Sequence, residues 1–135
     1  MRVEMPLGDV VDRVTILRIK HERIAAPAAL LNVAAELSAI DACWREAELP
    51  AMDSLADWGD LSAVNLELWE VEDRLREHEA RGDFGMEFVA LARSVYRLND
   101  RRAALKRRVN VALGSRLVEE KSYAEQSRYI QGDLE

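Results

Sequence analysis

One stretch constrains the fold more than any other. Between Asp83 and Leu113, Phe84, Phe88, Leu91, Val95, Leu98, Leu105, Val109 and Ala112 recur at alternating steps of three and four, with Arg102 in the single polar slot. That spacing belongs to a helix that buries one stripe. About 30 residues at ~1.5 Å each make a rod of roughly 45 Å, longer than a small domain is wide. Other helices must therefore lie along it.

The rest of the chain supplies them. A first helix is expected from about Asp9 to Ile24, with Val10, Val14, Leu17 and Ile24 on one stripe. Ile16 and Ile19 lie on its far side beside Asp12 and Arg23. A helix apolar on two sides is sandwiched between neighbours. Asp12 and Arg23 are too far apart to pair with each other, so they must reach other elements, because unpaired buried charge is costly. A second helix follows Pro27 and carries Leu30, Val33, Leu37, Ile40 and Trp44, ending before Pro50. A loop with the turn Asp57-Trp58-Gly59-Asp60 leads to a third helix, from about Leu61 to Ala80, striped by Leu61, Val64, Leu68, Val71 and Leu75. The link Arg81-Gly82-Asp83 combines a C-cap glycine with an N-cap aspartate and is short enough to force a hairpin. The expected fold is all-α: an antiparallel bundle of about four helices with one long C-terminal helix at about 83–113. A single domain spans 1–115, and 116–135 is a polar tail, partly ordered at best.

Composition agrees. Gly and Pro are scarce, and the chain is 49% hydrophobic, enough for a core without disulfides or metal. The net charge of -6 argues against non-specific nucleic-acid or acidic-membrane binding. The basic run Arg101-Arg102, Lys106-Arg107-Arg108 lacks interleaved aromatics and reads as a solvated helix face. No apolar run is long enough to span a membrane, and Met1-Arg2-Val3-Glu4 lacks a signal-peptide pattern. The single cysteine, Cys43, excludes an internal disulfide and reads as a buried small hydrophobe. The expectation is a soluble, cytoplasmic protein that uses no metal and no cofactor.

The chemistry, if there is any, lies in a polar seam. Beside the apolar stripe of the long helix run Ala92, Tyr96, Asn99, Ala103, Lys106 and Asn110, while Arg102 sits within the stripe. The third helix has a matching flank of Asn65, Trp69, Glu72 and Arg76. Facing helices of a bundle build sites from such side chains. The candidate ligand-binding residues are Arg93, Tyr96, Asn99, Arg102, Lys106, Glu72, Asp12 and Arg23. With Arg and Lys dominant, an anionic small molecule is the ligand expected. In the structural alternative, Arg102 pairs with Glu72 or Asp12 and fixes the packing. Replacing it with Met would then leave stability intact. His21 and His78 stand alone, without metal spacing, and read as packing or surface residues.

Three resemblances bear on function. Leu7-Gly8-Asp9-Val10-Val11-Asp12-Arg13-Val14-Thr15-Ile16-Leu17-Arg18-Ile19-Lys20 with Glu22-Arg23-Ile24 resembles a small bacterial helical family of unknown function. So do Ala92-Arg93-Ser94-Val95-Tyr96, Asn99 to Arg102, Lys106, Asn110, Gly114-Ser115 and Glu119 to Tyr123. That resemblance covers most of the chain and implies no established activity. Glu67, Glu70, Glu72 and Asp73 resemble the first acidic motif of helical nucleotide pyrophosphohydrolases, which hold magnesium. Their second motif is missing, with only Asp100 as a partial substitute. Val11-Asp12-Arg13 through Arg23 is loosely similar to the first helix of the all-helical chorismate mutases. The arginine and lysine spacing departs from theirs, and no catalytic role carries over. The leading expectation is a non-enzymatic module that recognises a protein partner or itself, with a homodimer as the assembly expected and Trp58 and Trp69 as interface aromatics.

Overall fold

The computed structural model describes residues 1–122 and contains four helices: α1 (Leu7–Arg23), α2 (Pro27–Glu46), α3 (Trp58–Arg81) and α4 (Met86–Leu113). A short 3-10 turn, Met52–Ser54, lies between α2 and α3. The helices run alternately up and down. Arg74 pairs with Glu87 beside the α3–α4 link, and Arg108 lies 3.2 Å from Asp57 at the other end of the hairpin. Contacts of α1 with α4 run in opposite senses, from Gly8–Asn110 to Asp12–Arg102. No helix among the described residues is long and apolar enough to cross a membrane.

The core lies among α1, α3 and α4. Val11 and Leu61 are completely buried, and Val64 and Val109 nearly so. Leu68, Val71, Leu91, Leu98 and Leu105 extend the same cluster, and Trp44 of α2 joins it. Otherwise α2 is a flank that packs on α1. Only Val33 and Trp44 are buried along its 20 residues. Cys43 is exposed, against the expectation of a buried hydrophobe. It occupies the outward side of a helix that offers the core only one edge.

The long helix starts later than its sequence suggests. Gly82 adopts a left-handed conformation (φ 64°) and returns its N–H to the Glu79 and His78 carbonyls, ending α3. Asp83 then accepts the Gly85 N–H at 3.2 Å, so residues 83–85 form the turn and α4 begins at Met86. Phe84 is 53% exposed and packs edge-on to Phe88 at 5.2 Å. Ala112 is exposed as well. The apolar stripe outruns its partners at both ends, and α4 buries it fully only between Leu91 and Val109. His78 is buried in this turn, with Nδ1 3.2 Å from the Asp83 carbonyl and its ring against Phe88.

At its first turn α1 is pressed backbone-to-backbone against α4. A Cβ built on Gly8 would overlap the Lys106 carbonyl oxygen. Substituting Gly8→Ala should therefore destabilise the domain by about 1–3 kcal/mol in urea unfolding, the range for overpacking. Gly59→Ala is the matched control. It lies inside α3 with nothing near its would-be Cβ, and should stabilise by about 0.5 kcal/mol. Equal effects at both positions would refute the close approach.

Candidate functional site

The polar seam forms along the α1–α4 contact. Asp12 is 4% exposed, in the middle of α1. Arg102 grips it through both donor edges, Nε to Oδ1 at 2.8 Å and Nη2 to Oδ2 at 2.5 Å. Asn65 of α3 donates to the same Oδ1 at 2.8 Å and to Thr15 Oγ1 at 2.7 Å. The Thr15 hydroxyl then donates to the Asp12 carbonyl at 2.6 Å. Both N–H groups of the Asn65 amide are thus used, and the carboxylate accepts three charge-assisted or amide bonds. These hydrogen bonds hold Arg102 still more firmly protonated than usual, against the opposing pull of burial.

One turn further along α4 is Lys106. Its ammonium lies 2.9 Å from Asp9 Oδ1 and 2.9 Å from Glu119 Oε2. The Asp9 contact is off the hydrogen-bond axis, so that buried oxygen is satisfied by charge rather than by a directed bond. Burial pushes the Lys106 pKa down, but Asp9 and Glu119 outweigh it and the pKa is raised. Beyond it, Asn110 and Ser115 cap the start of α1 from outside. The Gly8 N–H donates to Asn110 Oδ1 at 2.6 Å and the Leu7 N–H to Ser115 Oγ at 3.1 Å. These groups replace the side-chain cap that Pro6 cannot provide.

The remaining candidates are spread around this line. Asn99 and Glu72 line a groove of about 240 Å³ with Asn65, Trp69, Arg76 and Arg102. Arg23 is exposed and pairs with Glu70 at 3.3 Å. Arg93 and Tyr96 lie on the outward side of α4, away from the seam, with Tyr96 51% exposed and Arg97 over its ring. Trp58 and Trp69 are half-buried, and Trp58 carries the Arg18 guanidinium 4.8 Å above its ring. The candidate set omitted Asp9, Thr15, Asn65 and Glu119, although Asn65 lies on the third-helix flank read as part of the seam and Glu119 within the stretch that carries the family resemblance. Asp9 and Thr15 were legible as the i−3 and i+3 neighbours of Asp12, whereas no helical periodicity places Glu119, which arrives on the segment after α4. Among the described residues no cluster of His, Cys, Asp and Glu is suited to a metal ion.

The network closes on itself. Arg102 and Lys106 face Asp12, Asp9 and Glu119, so the seam carries no net positive charge to spare. Its chemistry is that of a lock between helices. The expectation that Arg102→Met alone leaves stability intact fails on this geometry, because it strands a buried carboxylate. Arg102→Met should cost about 3 kcal/mol in chemical unfolding. The double variant Asp12→Leu/Arg102→Met should recover most of that loss, and additive losses would show that the two residues are not coupled. A second test concerns Glu119, whose hydrogen bond from Lys106 lowers its pKa. A carboxyl depressed on folding contributes above its unfolded value of ~4.3, and that contribution is lost as pH falls through the native value. NMR titration should place its midpoint below that of free glutamate, and Lys106→Met should return it.

A model of a family of unknown function (DUF6165) matches residues 1–128, and the chain belongs to that family. No curated protein and no solved structure matches the chain.

Proposed function

We propose that this domain is a helical protein-interaction module that self-associates through the outward face of α4. The supporting observation is a second stripe on that helix, opposite the core. Met86 is 90% exposed, Val89 49%, Tyr96 51% and Val111 73%, and all four fall on one side of the helix with Arg93, Asp100, Ala104 and Arg107. A surface helix normally turns a polar face to water, and an apolar stripe there marks a contact surface.

The stripe is complementary to itself. Arg93 and Asp100 form no ion pair among the described residues, and at seven residues apart they lie about 10 Å from each other, too far to pair within one helix. Two copies packed antiparallel about a two-fold axis near Tyr96 and Arg97 bring Arg93 of each opposite Asp100 of the other. The same register sets Val89 against Ala104, and Met86 against the aliphatic stem of Arg107. A reducing, cytoplasmic setting suits a chain whose single cysteine is exposed. An anion grip by Arg93, Arg102 and Lys106 together has less support, since Arg93 lies on the far side of the helix and the other two already hold carboxylates.

Sedimentation equilibrium should show a dimer. Arg93→Asp and Asp100→Arg should each weaken it by at least ~10-fold, because like charges then meet across the axis. The double variant Arg93→Asp/Asp100→Arg restores opposite pairs and should restore the dimer. A wild-type chain that stays monomeric at high concentration would refute the reading.

A further inference from the structure

We infer that the groove between α1, α3 and α4 binds a small organic amine, whose ammonium meets Glu72 and Trp69 and whose far end donates a hydrogen bond to Asn65. The groove has a volume of about 240 Å³, and Ile16, Ile19 and Leu68 form its apolar lining. It uses none of the residues in the outward stripe of α4, so the inference is independent of self-association.

The innermost polar group of the groove is Asn65, which is 4% exposed. Its two N–H groups are committed to Asp12 and Thr15. Its Oδ1 accepts no hydrogen bond among the described residues. That oxygen is not sealed in the core, because Asp9 Oδ1 is the one fully buried side-chain oxygen without a hydrogen-bond partner among the described residues. A reachable, unpartnered acceptor on so buried a side chain calls for a guest that donates. Asn65 and the Arg102 guanidinium share Asp12 Oδ1, so the donor arriving there sits beside a cation and must be uncharged, a hydroxyl or an amide.

The other end of the groove selects a positive charge. Four charged side chains line it. Arg102 holds Asp12, and Arg76 lies 3.9 Å from Asp73 with its side chain 77% exposed to water. Glu72 forms no ion pair or hydrogen bond among the described residues. Trp69 precedes it by three residues on α3 and lines the same wall, half-buried. An unpaired carboxylate and an indole side by side attract a cation, and the half-buried Asn99 amide, also without a hydrogen bond among the described residues, offers a further acceptor across the groove. Asn65 and Glu72 are seven residues apart, about 10 Å along α3, which sets the length of the guest. The groove is smaller than the ~300 Å³ at the lower end of organic ligand sites, so the guest is a short chain.

The full chain, labelled with nitrogen-15, is titrated at constant ionic strength with aminopentanol while the Trp69 indole and Asn65 side-chain amide signals are followed. Binding should saturate in roughly the millimolar range, as befits so small a guest. Glu72→Gln should weaken it about 10-fold without lowering the thermal midpoint, since Glu72 has no partner to lose. Pentylamine, which lacks the hydroxyl, should bind several-fold more weakly to the wild type, a test of Asn65 that leaves the packing untouched. Tighter binding of aminopentanoate would put an anion at the Arg102 end and overturn the inference. Equal affinity in wild type and Glu72→Gln, equal affinity for pentylamine, or no saturable binding of aminopentanol would overturn it as well.

Discussion

The bidentate pair between Asp12 and Arg102 is the contact on which the arrangement of this bundle depends. Apolar stripes alone allow α1 to slide or rotate along α4, since one leucine can replace another in a groove at modest cost. A buried carboxylate cannot move in that way. Its two oxygens need the guanidinium fork and the Asn65 amide together, and only one register supplies both. Burial of such a pair adds little net stability compared with an apolar substitute, but it makes wrong packings expensive.

The other close contacts follow from that register. With Asp12 on Arg102, Asp9 falls beside Lys106 and Gly8 reaches the Lys106 carbonyl, where only a residue without a Cβ fits. The start of α1 then meets the end of α4, and Asn110 and Ser115 satisfy the free N–H groups of the first turn. The segment after α4 continues from that junction. Arg107–Glu120 ties it to α4, Arg116–Glu4 holds it beside the irregular N-terminal residues, and Glu119 comes to the lysine. These outer pairs are solvent-exposed and individually weak, so the segment is held by several small terms.

Much of this was legible in the sequence because helical periodicity is a local property. The four helices, the α3–α4 hairpin and the core positions Leu61, Val64, Leu68, Leu91, Leu98 and Leu105 follow from spacing and caps. The polar slot at Arg102 and the two-sided first helix pointed to a seam, and Asp12 is among the partners expected for it. What spacing could not supply was depth and distance. Phe84 and Ala112 fit the stripe but extend past the helices that would cover them, and Cys43 sits on the open side of a flanking helix. Tyr96 groups with the seam because it continues the three-and-four spacing of that line, yet it lies at the line's outer edge, and Arg93 comes in through the family resemblance and not through spacing. Glu119 belongs to no periodic element, so its meeting with Lys106 is visible only in three dimensions.

The most direct test of the lock is native-state hydrogen exchange on Asp12→Asn, which removes the charge and keeps the shape. The core amides of α1, at Val14, Thr15 and Leu17, should lose protection well beyond those of Leu68 and Leu98, so that α1 opens separately from the α3–α4 hairpin. If all these amides lose protection equally, or α1 keeps its wild-type protection, the pair does not fix α1 in place and the account is contradicted.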